Sequence, residues 1–388
     1  MKSHLKNSHP MVVDANIPET NYKKENNIFT NGLKDILFLL ISCVITAFLI
    51  KMPAIFNLNA SDEVFYVKNA GLIVLLGLSI YLMLAQGLFK NPGQFIFFGA
   101  FVLSAIYINI LPILKNSSSI DLAYLHLPLL LWCIFGLIYC GFDSKDLTKR
   151  MEYIRFNGDL IVLTTLILIA GAIFGAITAR LFDVIGINIM HFYIDYIIIW
   201  GAVSAPVIAT YIIRNYPTAT NKIAPIIATI FSPVVLVTLF IYLFAIPFGR
   251  KDPYNDRDFL LIFNLMLLGV MALIVFSIAE TGVNKSQKFN KIVLFLLTIV
   301  TLIINLVALS AILYRLGTFG FTPNRVAVLG SNLLIFGNLI LISIDLFKVN
   351  FKNAEMNRVE MTISRYLPFY AIWALFVTFG FPVIFGYK

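Results

Sequence analysis

The residues of this chain best suited to chemistry sit at the ends of long apolar runs, and they gather in three places. Arg180 and Asp183 follow one run, and His191 and Asp195 open the next. The segment GRKDPYNDRD, residues 249–258, supplies Arg250, Lys251, Asp252, Asp256, Arg257 and Asp258. The segment YRLGTFGFTPNR, residues 314–325, supplies Arg315, Asn324 and Arg325. A guanidinium presents paired donors that match a carboxylate or phosphate. A neighbouring Asp can hold that group in place, and His can exchange a proton near neutral pH. Together these side chains describe a polar vestibule for a small polar or lipid-like ligand. The same charges can instead pair with one another and pin the connections to the membrane interface.

A second candidate is a stripe. Asn324, Ser331, Asn338 and Asp345 recur every seven residues. That is close to two helical turns, so they share a face that drifts by about 20° per step. Gly330 and Gly337 lie beside them, and Asn264 and Asn305 in neighbouring runs are the expected partners. Polar groups in lipid are costly, so this face must turn into the protein. It can be a polar path for a solute or proton, or a seam of interhelical hydrogen bonds. Pro206, Pro225 and Pro233 interrupt two further runs. Broken helices can build a substrate site near the membrane midplane, and plain kinks are also routine.

Several motifs are missing. The sequence has no phosphate-binding GxxxxGK[ST] loop, no HExxH helix, no CxxC pair and no GxSxG turn. Its histidines (His4, His9, His126 and His191) and cysteines (Cys43, Cys133 and Cys140) are scattered. The expectation is a protein with no metal site and no cofactor.

The elements that must position these residues follow from composition. Of 388 residues, 60% are hydrophobic and only 13% are charged, with a mean hydropathy of +0.89. A soluble domain carries about 25% charged residues. Such a chain cannot cover itself with polar surface in water, so its expected partner is the lipid bilayer. The net charge of +9 does not point to nucleic acid, because the basic residues are scattered singly and form no patch or tail. They read as topology signals and head-group contacts.

A helix needs about 20 apolar residues to cross the hydrocarbon core. Eleven segments qualify, roughly 35–56, 69–89, 95–114, 121–142, 159–181, 191–213, 223–248, 259–279, 290–314, 325–347 and 366–386. The expected fold is all-α, a polytopic transmembrane helical bundle of about eleven spans. Residues 1–33 read as a flexible tail, 34–142 as a four-span part, 143–158 as a basic connection and 159–388 as a seven-span part. Residues 182–190 either cross the membrane or lie at its surface. Lys and Arg in the connections favour a cytoplasmic N-terminus and an outside C-terminus. On that topology all three charged connections lie outside, where the positive-inside tendency would deplete basic residues.

Three stretches carry a resemblance: 155–183 (RFNGDLIVLTTLILIAGAIFGAITARLFD), the NDRDFLLIFNLMLLGVMALIVFSI run at 255–278 and the FTPNRVAVLGSNLLIF run at 321–336. With these the chain resembles an uncharacterised family of bacterial polytopic proteins catalogued as domain of unknown function 4153. The similarity covers most of the chain, best from about residue 150 onward. It implies a multi-pass protein of the bacterial cytoplasmic (inner) membrane, and it implies no activity and no catalytic residues.

Three functions fit this reading. The first is binding or moving a small polar or amphipathic solute through an outer-facing vestibule. The second is a membrane-embedded enzyme acting on a lipid-linked or envelope substrate, with Asp256, Asp258 or His191 as acid or base. The third is a scaffold or sensor that uses the 143–158 and 348–365 connections. The oligomeric state stays open.

Overall fold

A computed structural model describes residues 19–56, 62–114, 117–184, 193–217, 223–245, 254, 257–283 and 288–388. Among them the chain is helical throughout, joined by short turns. The long helices are α1 (Glu19–Ile55), α2 (Asp62–Gln86), α3 (Gly93–Ile110), α4 (Ser118–Tyr139), α5 (Leu147–Val184) and α6 (Ile199–Asn215). They continue with α7 (Ile223–Ala245), α8 (Arg257–Val283), α9 (Lys288–Phe319), α10 (Pro323–Phe351) and α11 (Asn357–Leu375). A π-helical turn, Tyr193–Ile198, leads into α6, and another, Phe376–Gly380, extends α11.

Helices are the expected outcome for such runs, because lipid offers no partner for backbone N–H and C=O groups. Ten helices among the described residues are long and apolar enough to cross a membrane, and α7 adds the apolar stretch Phe231–Ile241. The eleven apolar segments of the sequence thus correspond to eleven helices. The surface is inverted relative to a soluble protein: Phe95, Ile96 and Ile110 are each about three-quarters exposed.

Two apolar clusters organise the bundle. One joins α8, α9, α10 and α11 through Leu267, Ile274, Leu297, Ile304, Leu339, Ile342 and Ile363, with Leu239 of α7. The other joins α2, α3, α4 and α6 through Tyr81, Phe101, Leu127, Leu131 and Val207. Helix α5 serves both, giving Met151 and Ile154 to the first and Phe156 and Leu160 to the second. The composition shift at 143–158 is therefore not a division in packing, since α6 lies with α1 and α2.

Helices also extend through segments that read as connections. α1 begins at Glu19, within the stretch expected to be a tail, and α5 begins at Leu147, within the 143–158 connection. Only residues 352–356 separate α10 from α11. Lys, Arg and Glu are good helix formers, so losing apolarity ends a membrane span without ending the helix. The prolines at 206 and 233 lie inside continuous α6 and α7. They do not break these helices.

Close packing explains several glycines. A Cβ on Gly330 would sit 2.0 Å from the Trp373 ring, and one on Gly337 would sit 2.7 Å from the Tyr366 hydroxyl. These two glycines let α11 approach α10. Gly171, spaced from Gly175 as in a GxxxG pair, faces open space, so it does not pack a helix among the described residues.

Candidate functional site

The α9–α10 corner is written in its residues. Gly320 adopts φ +74°, and its N–H reaches back to Leu316 O at 3.0 Å. This left-handed stop is one that glycine makes without steric cost. Thr322 then caps α10 by accepting from Arg325 N, and Pro323 occupies the first turn, where a missing N–H costs nothing. Because the corner is so short, Arg315 near the end of α9 and Arg325 at the start of α10 face the same space.

That space is a cavity of about 470 Å³ between α4, α8, α9 and α10. Its polar lining is Ser118, Asn264, Arg315, Thr322, Asn324 and Arg325, and Leu122, Ile312, Ala327 and Val328 form its apolar body. Arg325 Nη1 donates to Phe319 O at 2.7 Å and Gly320 O at 2.8 Å. A cation at these last carbonyls is favoured by the α9 dipole. The guanidinium carbons of Arg325 and Arg315 each lie 5.5 Å from the centroid of the Phe319 ring. The two charges are therefore no farther apart than twice that distance. At the effective dielectric of a protein surface their repulsion is on the order of 1 kcal/mol. Asn324 Nδ2 donates to Ser118 Oγ at 3.0 Å, tying α10 to α4. Cationic donors at one edge and an apolar body are the chemistry that receives an anion carrying an apolar part.

Of the residues singled out in the sequence, Arg315, Asn324 and Arg325 meet here. Arg180 and Asp183 fall in the last turns of α5, Asp195 in the turn before α6, and Arg257 and Asp258 at the start of α8. Their side chains lie outside the described part, although the alternating run of the helices puts these positions at the same end as the cavity. His191, Arg250, Asp252 and Asp256 lie outside the described residues. Tyr254 of the same segment is described. Its hydroxyl lies 3.3 Å from Ser310 Oγ, and its ring stands edge-on to Tyr314.

Ser331, Asn338 and Asp345 of the α10 stripe have partners on α11, and the exposed Asn324 bonds to α4. Ser331 accepts from Trp373 Nε1 at 3.1 Å, and Asn338 donates to the Tyr370 hydroxyl at 3.0 Å. Asp345 accepts from Arg358 Nε at 2.6 Å and Thr362 Oγ1 at 2.7 Å, with Lys348 Nζ at 3.5 Å. These bonds run sideways between helices and fasten α11 to α10. The expected partners Asn264 and Asn305 instead meet Asn332. Asn332 Nδ2 donates to Asn264 Oδ1 at 2.7 Å, and Asn305 Nδ2 donates to Asn332 O at 3.4 Å.

Two residues passed over in the sequence belong to the same end. Lys51 and Lys68 are 6% and 7% exposed, although lysine is rarely buried this far. Lys51 Nζ lies 5.2 Å over the Tyr196 ring. Lys68 Nζ donates to Leu111 O at 2.9 Å and lies 5.7 Å over Tyr124. Beside it, Asn69 and Asn109 exchange reciprocal amide bonds. Single charges inside apolar windows were the signal for both.

Among the described residues no group of three or more His, Cys, Asp and Glu could hold a metal ion. The chain matches no family model, no curated protein and no solved structure. The likeness to domain of unknown function 4153 therefore rests on its quoted residues alone.

Proposed function

We propose that this protein binds or moves a small polar or amphipathic solute that carries an anionic group, through the cavity at the α9–α10 corner. The observation that supports this most is the convergence of Arg315 and Arg325 on one aromatic ring at the edge of a largely apolar cavity. Two like charges gathered in this way are favoured when an anion sits between them. Lys51 and Lys68, buried at the same end, add to its positive potential.

The same reading places the N-terminus inside and this end outside, following the distribution of Lys and Arg. The family resemblance points to the bacterial cytoplasmic membrane as its home.

The experiment is a comparison of lipids, envelope components and exported metabolites between a deletion strain and its parent. The change it shows is restored by the wild-type chain. It is not restored by Arg315→Gln or Asn264→Leu, each present in the membrane at wild-type amount. Full restoration by both variants would contradict the proposal.

A further inference from the structure

Helix α9 carries a second polar feature that no connection announces. Asn290, Leu294, Thr298, Thr301, Asn305, Ala308 and Ile312 follow one another at helical spacing, so they line one face of the helix. Thr298, Thr301 and Asn305 are fully buried. Ile312 lines the cavity at the α9–α10 corner. At the other end of the face, Asn290 and Leu294 line a cavity of about 10 Å³ together with Ser232, Ser277 and Thr281. A space of that size and polarity holds about one water molecule. From Ile312 to Asn290 the face is roughly 33 Å long at about 1.5 Å per residue, close to the thickness of the hydrocarbon core.

The polar groups on this face are committed in one direction. Thr301 and Thr298 each donate to the carbonyl one turn back, Leu297 O and Leu294 O, at 2.7 Å. Their oxygens keep lone pairs and have no proton left to give. Asn305 Oδ1 is buried and has no hydrogen-bond partner, a state that costs free energy in a bundle interior. Hydrogen bonds connect Asn305 through Asn332 to Asn264 on the cavity wall. The face thus offers a row of acceptors between two cavities, and it receives groups that bring hydrogen-bond donors.

We infer that the buried α9 face Asn305–Thr301–Thr298 is the crossing route of this protein, leading from the arginine-edged cavity to the hydroxyl-lined one. The inference rests on that first cavity being the entry site. A solute suited to both features is a small anion that also bears hydroxyl or ammonium groups. The anion meets the arginines, and the donors meet the acceptors of α9. In the packed arrangement seen here the route is closed between Asn305 and Leu294, so passage requires the helices packed on α9, which are α7, α8 and α10, to part from it.

Thiol accessibility of the full chain in membrane vesicles tests this. Cys43, Cys133 and Cys140 are replaced by Ala, and single cysteines are introduced. The probe is 2-aminoethyl methanethiosulfonate, which attacks ionised thiols in contact with water and leaves lipid-held thiols alone. Thr298→Cys and Thr301→Cys, close in size to the native residue, are expected to react at least about tenfold faster than Ile303→Cys and Leu306→Cys. Those two controls lie on the outward side of the same helix, 42% and 56% exposed. Ile312→Cys is expected to react as well. If Ile312→Cys reacts while both threonine positions behave like the lipid-facing controls, the route is overturned and the cavity stands. If Ile312→Cys also fails to react, the cavity proposal falls with it.

Discussion

At one end of α10, Asp345 accepts from Arg358 and Thr362 and faces Lys348. At the other, Arg325 spends one nitrogen on two carbonyls of α9 and shares the Phe319 ring with Arg315. Arg155 repeats the first pattern, since it meets Glu360 at 3.0 Å and donates to Ala279 O. At the first end Asp345 and Glu360 are each closed off by an arginine. The second gathers guanidinium groups around a cavity. Similar residue types therefore serve cohesion in one place and line a cavity in the other. Among the described residues Arg325 has no carboxylate partner.

The comparison can be broken most forcefully at the closed end. Asp345→Ala leaves Arg358 and Thr362 without their acceptor. It should cost about 1.5–3 kcal/mol, read as a lower unfolding midpoint of the purified protein and a lower amount in the membrane. Gly330→Ala forces a methyl into the Trp373 ring and should cost about 1–3 kcal/mol, through the same α10–α11 seam. Ser331→Ala removes only the acceptor of Trp373 Nε1 and should cost about 0.6–1.7 kcal/mol in the same unfolding measurement. Arg315→Gln, at the open end, should change stability by less than Asp345→Ala does and still abolish rescue of the deletion strain. A stability loss at Arg315→Gln as large as that at Asp345→Ala would erase the distinction between the two ends.

Much of this was legible in the sequence, and the failures have physical causes. Apolar length alone marks the helices, and the closeness of Arg315 to Arg325 in the sequence places both in one connection. The seven-residue spacing of Ser331, Asn338 and Asp345 identifies a buried face. Spacing cannot name the neighbour, however, and the partners proved to be Trp373, Tyr370 and Arg358 on α11. The charged stretches around 147–158 and 348–351 read as connections because hydropathy reports the solvent of a helix and not its existence. The α9 face was missed for a related reason. Thr298 and Thr301 lie in a strongly apolar span, where flanking Leu and Ile conceal them. Lys51 and Lys68 were hidden in the same way. Part of the charged set, His191, Arg250, Asp252 and Asp256, lies outside the described residues, and the account of the open end leans on none of them.

The most direct test compares rescue per molecule at the two ends. Arg315→Gln and Arg155→Gln are expressed in the deletion strain, and the restored metabolite or lipid change is divided by the amount of protein in the membrane. The account predicts that Arg315→Gln loses rescue at normal abundance, whereas Arg155→Gln loses abundance and keeps its rescue per molecule. Equal rescue per molecule for Arg315→Gln and the wild-type chain would contradict it.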